Sequence, residues 1–478
     1  MDMVSYYPWS TYAYGKYDYV SNLSIVGNQI MRYLGISEGF HDAAVALVNE
    51  EREIEFASQS ERFTRIKNCR MNPPEYRRLR HDKVIFHEDV KLKNERRVAH
   101  GMKPLPVPGY ETYLKHHESH MAAARWTAPW DTSNDTVCVV IDAIGEWDCT
   151  TIWKDGEIVY SEQYPQSLGL FYSAITKRLG LKPNEDEYIT MGMAAFGQPS
   201  INMEWCFSKH ANLHKGFGLD DFKGEHPHDI AASAQFHLEW RLDDIMKKAS
   251  AFGKKLCYGG GVALNCVANS KVVHPKFEKV WILPSPGDSG SAIGAVAGYL
   301  KKPLKWVDPY LGHDIQRWIN PKIVVTQLLK NKIVGVANGK AEFGPRALGN
   351  RSILGDVRYN IKDTVNTIKR RQKFRPFAPA ILEEFALEYF DGYMNEYMQF
   401  TAEALHDYDS VTHVDGSARV QIVRKDCQSV LRQILEEYYE RTKVPMLLNT
   451  SLNIKGQPIV DTWEQAEDFS KKYKVGVY

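Results

Sequence analysis

The chain has 478 residues, a formal net charge of +1, 44% hydrophobic and 25% charged residues. That length exceeds what one core holds and predicts two domains. The near-neutral balance excludes a global field directed at nucleic acid or membrane, so any such interaction has to be local. No apolar run approaches the ~20 residues of a membrane span, and the N-terminus lacks the basic-then-apolar pattern of a secretory leader. The seven cysteines form no CxxC or paired spacing, so a cytoplasmic protein with reduced thiols is expected.

In chain order, Tyr6–Tyr19 carries seven aromatics without helical or strand periodicity, and residues 1–30 read as an aromatic arm. "RYLGIS", "AAVALVNE" and "EIEFASQSE" read as three strands, the last running into a loop. The same opening recurs in "TVCVVIDAIGEWDCTTIWKDGEIVYSEQY", near residue 136. Strand, Asp or Gly turn, strand is how an actin- or ribonuclease-H-like half begins, so the repetition predicts a duplicated α/β core. Helices are predicted over 168–180 and 229–252. "KKLCYGGGVALNCVANSKV" then reads as strand, Gly-rich turn and helix start, and "KVWILPSPGDSGSAIGAVAGYL" as strand, loop and small-residue helix. A Pro-broken stretch over 302–325 marks a boundary, leaving one domain over 31–310 and a second over 323–478. In the second, "KIVGVANG" and "VPMLLNTSLN" read as strands and "EFGPRALGNRSILGD" as a Gly/Arg loop and helix.

The segment "LKHHESHMAAA" holds His116 and His120 four apart, one helical turn, so both can lie on one face. The HExxH protease pattern fails because His117, not Glu, follows the first His. Asp142 ends the strand "VCVVID", and Asp288 sits between Gly287 and Gly290 in "PSPGDSGSA". Two imidazoles with two carboxylates suit a divalent transition metal such as iron or zinc. "GGGVALN" at 259–265 fits either a structural turn or phosphate binding at a helix start, with Asn265 facing a ribose or phosphate. The second domain offers Arg346, Arg351 and Arg358, then Lys369, Arg370, Arg371, Lys373 and Arg375, then Asn449, Ser451 and Asn453. Guanidiniums beside backbone turns suit a phosphate or acyl phosphate, although "IKRRQK" also reads as a solvated basic face.

These motifs resemble the O-carbamoyltransferases that act on nodulation factors and on antibiotics such as tobramycin and the cephamycins. Ordered landmarks from about 32 to 470 carry the resemblance, among them "GFHDAAVALV", "ERFTRIK", "HHESHMAAA", "EYITMGMAAFG", "GGGVALNCVANSK", "PSPGDSGSAIGA", "EFGPRALGNRSIL", "FRPFAPAIL" and "LLNTSLNIKGQPIV". The resemblance implies an actin/Hsp70-like, Kae1-type domain followed by a YrdC-like α+β domain. It implies two steps: carbamoyl-adenylate is made from ATP, with Mg²⁺, and carbamoyl phosphate, and the carbamoyl group then passes to a hydroxyl beside bound Fe²⁺ or another divalent transition metal. Carried over, His116, His120, Asp142 and Asp288 are the metal ligands and His41 and Lys67 are catalytic. Glu187, Gly192, Gly260, Gly261 and Asn265 contact nucleotide. Arg346, Arg351, Lys373, Arg375, Asn449 and Ser451 hold carbamoyl phosphate and ATP.

The acceptor is read from local charge. Residues 62–97 hold twelve Lys or Arg against five acids, which reads either as a solvated insertion or as a basic strip contacting a phosphate backbone through Arg77, Arg78 and Arg80. Phage-encoded members of the family act on the hydroxymethyl group of 5-hydroxymethylcytosine in DNA, and that is the expected acceptor. A sugar or antibiotic hydroxyl is the alternative, and a non-catalytic DNA-binding, chaperone or metallopeptidase-like protein the remote one. A homodimer is a further expectation.

Overall fold

A computed structural model describes residues 30–208, 211–218 and 220–478. The aromatic arm expected over 1–30 lies, Ile30 apart, outside them.

Two sheets share one topology. In the first, β1 (Arg32–Ser37), β2 (Ala44–Asn49) and β3 (Ile54–Gln59) form an antiparallel meander, and β4 (Lys83–Phe86) adds parallel to β1, giving the order β3-β2-β1-β4. In the second, β5 (Thr136–Ile141), β6 (Asp148–Lys154) and β7 (Glu157–Gln163) repeat the meander. β8 (Lys255–Gly259) and β9 (Lys279–Ile282) then extend it in parallel as β7-β6-β5-β8-β9. This is a duplicated α/β core with the ribonuclease-H-like strand order in both sheets. β1, β2 and β5 are buried along most or all of their length, as strands covered on both faces must be.

Two helices pack between these sheets. His116–Trp126 and Ser291–Leu300 meet along small side chains; a side chain at Gly294 would collide with the Ser119 carbonyl, and one at Gly298 with Leu114. Ala122 joins the core of the first sheet, while Met121 and Ala124 face Cys138 and Val140 of the second. The alanines after the histidines therefore bring the His-bearing helix close to the segment that carries Asp288.

The remaining chain builds a different unit. β11 (Ile333–Ala337), β13 (Arg351–Gly355), β19 (Met446–Ser451), β14 (Ala378–Leu382) and β18 (Gln421–Val423) form one mixed sheet in that order, and β10 (Tyr310–Ile315) pairs with β12 (Gly339–Glu342). A small sheet of β15 (Phe390–Asp391), β16 (Ala402–Ala404) and β17 (Ser417–Ala418) flanks it. Helices Pro321–Asn331 and Leu431–Thr442 cover one face of the large sheet through Val324, Leu328, Ile434 and Leu435.

Three local expectations are corrected. The stretch after β3 is a short helix, Ser60–Thr64, not a loop. The 302–325 boundary contains β10, whose partner lies in the second half. "GNRSILGD" continues as β13 and not a helix, because its backbone pairs with both β11 and β19 while Ile353 and Leu354 are buried on opposite faces of the sheet.

Candidate functional site

The histidine helix begins without a side-chain cap of its own. Instead the Glu146 carboxylate accepts the His116 N–H at 2.8 and 3.1 Å, fixing the first turn from 30 residues away. His116 Nε2 then lies 2.9 Å from Asp142 Oδ2 and 3.5 Å from Asp288 Oδ1. His120 Nε2 lies 3.5 and 3.4 Å from the same two atoms and 3.2 Å from His116 Nε2. One ligand atom from each of the four residues falls within 4.8 Å of the others. The other nitrogen of His120 faces the Pro286 carbonyl at 3.1 Å, which orients its ring.

Electrostatics describe the same cluster. Burial opposes charge on Asp142, yet His116 and His120 hold it well below the carboxylate range; Asp288 is likewise depressed, with His41 its strongest support. His120 is disfavoured as a cation by burial, but the two carboxylates lift it to about 10. Among the described residues neither Asp142 nor Asp288 meets a Lys or Arg, so two buried anions lack a fixed countercharge. Two imidazole nitrogens and two such carboxylates fit a divalent transition metal. A neighbouring His87, Glu88 and His116 group is also close-set, but Lys93 Nζ, 2.5 Å from Glu88 Oε2, already neutralises its carboxylate.

The glycine run serves this end. Gly260 takes φ +90° and lies so close to the Ile141 carbonyl that a side chain would collide with it. Gly261 N–H then reaches Asp142 Oδ1 at 3.0 Å. Gly260 does not line the cavity described below, which corrects its expected nucleotide contact; the run places Asp142. His41 Nδ1 is 3.1 Å from Asp42 Oδ2 and 3.6 Å from Asp288 Oδ2. Burial pushes His41 down, but Asp288, Asp42 and Asp142 outweigh that and lift it to about 9. A cation shared by Asp142 and Asp288 would remove much of that support and return His41 toward the range where it accepts protons. Lys67 Nζ is held by both oxygens of Glu61, at 3.2 and 3.1 Å.

The opposite end is cationic. Lys369 Nζ is buried against Ser451 O, Ser451 Oγ at 3.2 Å, Asn453 O at 3.0 Å and Asn453 Oδ1 at 2.9 Å. Burial, then Arg371 and Arg375, push it well below the usual lysine range. Burial and Arg419 bring Arg346 down to about 9, and Arg371 and Arg375 are lowered in the same sense. Arg375 stacks 4.6 Å over Tyr188. None of these cations forms an ion pair among the described residues, so the cluster is built for an anion that the protein does not itself provide.

One cavity of about 810 Å³ joins the two ends. His41, Lys67, Asp142, Asp288, Glu187, Gly192, Gly261 and Asn265 line it from the first half, and Arg346, Arg375, Asn449 and Ser451 from the second. Burial raises Glu187 above its ordinary value, and its Oε1 accepts from Ser173 Oγ at 2.7 Å and Asn184 N–H at 2.6 Å. The Asn265 amide is engaged by Gln235 and by the Ala268 N–H, so it shapes the wall. Asn449 Nδ2 holds Ala347 O and Gln421 Oε1, leaving its buried Oδ1 without a partner.

Two expected residues lie elsewhere. Arg351 is 0% exposed, and its guanidinium donates to the carbonyls of His313, Asn338, Gly339, Asn350 and Asp461, stapling β10, β12 and β13. The Lys373 side chain is 73% exposed, 3.5 Å from Asp363. The chain reverses at Arg370, φ +53°, after the helix Lys362–Ile368, which turns Lys369, Arg371 and Arg375 inward and Lys373 out. Lys369, Arg371 and Arg419 are the additional cavity cations; their residue types were visible in the sequence, their direction was not.

The basic strip also resolves differently. Arg62, Arg65, Lys67, Lys93 and Arg96 are bound inside the protein, and Arg77 pairs with Glu38 at 2.8 Å. Arg70, Arg78 and Arg80 remain exposed. Segment 62–97 is therefore not a continuous cationic surface.

A cavity with an acid–histidine end and a cationic end, shared by two α/β units, suits a group-transfer enzyme. The family description Carbamoyltransferase N-terminus matches residues 102–216 and 202–297, and Carbamoyltransferase C-terminus matches 325–478. An uncharacterized protein of Synechocystis sp. is 30% identical over 91% of this chain and 93% of its own length. The nodulation protein NolO of Bradyrhizobium diazoefficiens is 31% identical over 74% of this chain and 75% of its own. Among solved structures, component A of the Acidaminococcus fermentans (R)-2-hydroxyglutaryl-CoA dehydratase aligns with 56% of this chain and 97% of its own, at 15% identity and a TM-score of 0.35. The chain belongs to the carbamoyltransferase family and is a transferase enzyme. No helix among the described residues is long and apolar enough to cross a membrane.

Proposed function

We propose that this enzyme makes carbamoyl-adenylate at the cationic end of the cavity and transfers the carbamoyl group to an acceptor hydroxyl at the acid–histidine end. The observation that carries the reading is the single cavity lined by both clusters. In the first step carbamoyl phosphate, ATP and water give carbamoyl-adenylate, pyrophosphate and inorganic phosphate. Lys369, Arg346, Arg371, Arg375 and Arg419 neutralise the phosphates, a role in which unpaired guanidiniums in a low-dielectric wall are most effective. Ser451 and Asn449 offer polar contacts beside them. This half corresponds to the YrdC-like unit and the first to the Kae1-like unit.

In the second step the acceptor oxygen attacks the carbamoyl carbon and AMP leaves. His41 receives the hydroxyl proton at its ring nitrogen, oriented by Asp42. Lys67, fixed by Glu61, supports negative charge on the carbonyl or phosphate oxygen. A divalent metal held by His116, His120, Asp142 and Asp288 would supply Lewis-acid charge to oxygens of the adenylate. Fe²⁺ is the ion suggested by the family resemblance.

The acceptor we favour is the hydroxymethyl group of 5-hydroxymethylcytosine in DNA. Its support is the exposed trio Arg70, Arg78 and Arg80, on a segment tied to the His41 loop through Gly39 N–H to Arg70 O and Ala43 N–H to Cys69 O. Mass spectrometry tests both parts. With ATP and carbamoyl phosphate, hydroxymethylated DNA gains about 43 Da per modified base, one carbamoyl replacing one hydrogen. Modification of a sugar and not of DNA overturns the acceptor; no carbamoylation of any hydroxyl compound tried, with no AMP formed, overturns the reaction.

A further inference from the structure

The stretch from Gln59 to Asn68 faces two ways. Gln59, Glu61, Lys67 and Asn68 line the cavity at its His41 end. The arginines between them point into the second half. Arg62 is 1% exposed and its Nη2 donates to Gly344 O at 2.8 Å. Arg65 ends the helix Ser60–Thr64 in a left-handed conformation, φ +61°, and its guanidinium spans two carbonyls: Nη1 to Ile459 O at 2.6 Å and Nη2 to Pro458 O at 2.9 Å.

Those three carbonyls belong to the two loops that carry Pro345, Arg346 and Ala347, and Gln457 and Ile459, all in the cavity wall. The first loop is wedged on its other side as well: a side chain at Gly344 would sit 2.9 Å from Pro284 O, on the strand end that leads to Asp288. Arg62 is an expensive way to make this contact. Its Nε and Nη1 are buried without partners, and a buried guanidinium held by one hydrogen bond is tolerated only where its position matters. Neither arginine lines the cavity, so neither acts on substrate directly.

We propose that Arg62 and Arg65 are positioning residues that clamp the Gly344 and Pro458–Ile459 loops onto the transfer half, sealing the cavity so that activated carbamoyl crosses it without escaping to water. This rests on the two-step reading above. Lys67 and the clamp sit on the same short turn, so the groups that receive the carbamoyl and the contacts that retain it are fixed together. Escaped carbamoyl-adenylate decomposes by attack of water on the carbamoyl carbon, releasing AMP and carbamate.

The test uses the full chain with ATP and carbamoyl phosphate and no acceptor. Exchange of labelled pyrophosphate into ATP, dependent on carbamoyl phosphate, reads adenylate formation; AMP release reads escape. In Arg65→Gln exchange stays within about twofold while AMP released per exchange event rises about tenfold, the loss of two charge-assisted hydrogen bonds. Arg65→Lys, which keeps the charge and reaches one carbonyl, gives an intermediate ratio. A merely destabilised fold lowers both signals and leaves their ratio unchanged, and an unchanged ratio in both variants overturns the clamp. If Arg65→Gln loses exchange altogether, Arg65→Lys decides: a raised ratio supports the clamp and an unchanged ratio overturns it. Absence of carbamoyl phosphate-dependent exchange in the unsubstituted protein overturns the two-step reading itself.

Discussion

Among the described residues, Asp142 and Asp288 at one end of the cavity are buried anions facing imidazoles and no Lys or Arg; at the other, Lys369, Arg346, Arg371, Arg375 and Arg419 face one another and no paired carboxylate. The two ends have opposite signs and neither is balanced by a fixed charge: the carboxylates are held by His120 and His41, imidazoles that can give up their protons, and the second end has no carboxylate in an ion pair with it among the described residues. A protein that needed only stability would have paired them across the cavity, since unpaired buried charge is costly. On the proposed reading each end is completed by what it binds: a cation at the first, phosphates at the second. The scaffolds differ accordingly. The acid–histidine end rests on strand ends and a helix packed through small residues, whereas the cationic end is a set of loops above a mixed sheet.

Breaking one end without the other is the strongest test of this division. Asp288→Asn lowers carbamoyl transfer by on the order of 10²- to 10³-fold and depletes bound metal, while carbamoyl phosphate-dependent pyrophosphate exchange persists. Elemental analysis beside the two assays checks it, and joint loss of exchange would show that the ends are not separable. Lys369→Met gives the mirror image, exchange down by about 10²-fold with metal content unchanged.

A smaller effect comes from the packing that builds the first end. Gly294→Val drives the Ser291–Leu300 helix off the Ser119 carbonyl and lowers stability by about 1–3 kcal/mol in urea unfolding. Gly192→Ala, whose added carbon meets nothing within 4 Å, leaves stability unchanged or raised, and equal losses at both glycines would remove the close approach as the cause.

The smallest effect lies in the second half, where His313 Nδ1 pairs with buried Asp461. Burial opposes charge on His313, but Asp461 raises it above 6.5; Asp461 is held below 3.8 against burial, chiefly by His313. The raised histidine contributes below its unfolded value and loses that contribution as pH rises through its folded value. The depressed carboxylate contributes above its unfolded value and loses it in acid. The melting-temperature difference between the unsubstituted protein and His313→Gln is therefore widest between about pH 4 and 6.5 and narrows as pH rises through the raised histidine's folded-state value. A difference that grows with pH would exclude this pair as its source.

Legibility in the sequence followed the range of the interaction. The strand openings near 32 and 136 are set by adjacent apolar residues, and both appear where expected. His116 and His120 are one turn apart on one helix, Asp142 directly follows a strand and Asp288 lies in a glycine-flanked loop after another, so four donors of the right type could be named before their meeting was seen. Direction was harder. In "IKRRQKFR" the cations are chemically alike, and the turn at Arg370 decides that Lys369 enters the cavity while Lys373 stays in solvent. Arg351 reads like Arg346 in its motif, yet it begins β13 and is consumed by five carbonyls. The charge of 62–97 reads as surface, but Arg62, Arg65, Arg77 and Arg96 find carbonyl or carboxylate partners drawn from distant segments.

The sequence by itself determined which groups exist and how the chain runs locally, because those depend on side-chain chemistry and on neighbours within a turn or a strand. Tertiary structure decided which charges are spent inside the protein and which are left for ligands, because burial and pairing depend on what distant segments bring. Glu146 starts the histidine helix from 30 residues away, and Arg65 reaches carbonyls almost 400 residues on. Such contacts leave no periodic trace in the sequence, yet they give the cavity its two opposite ends.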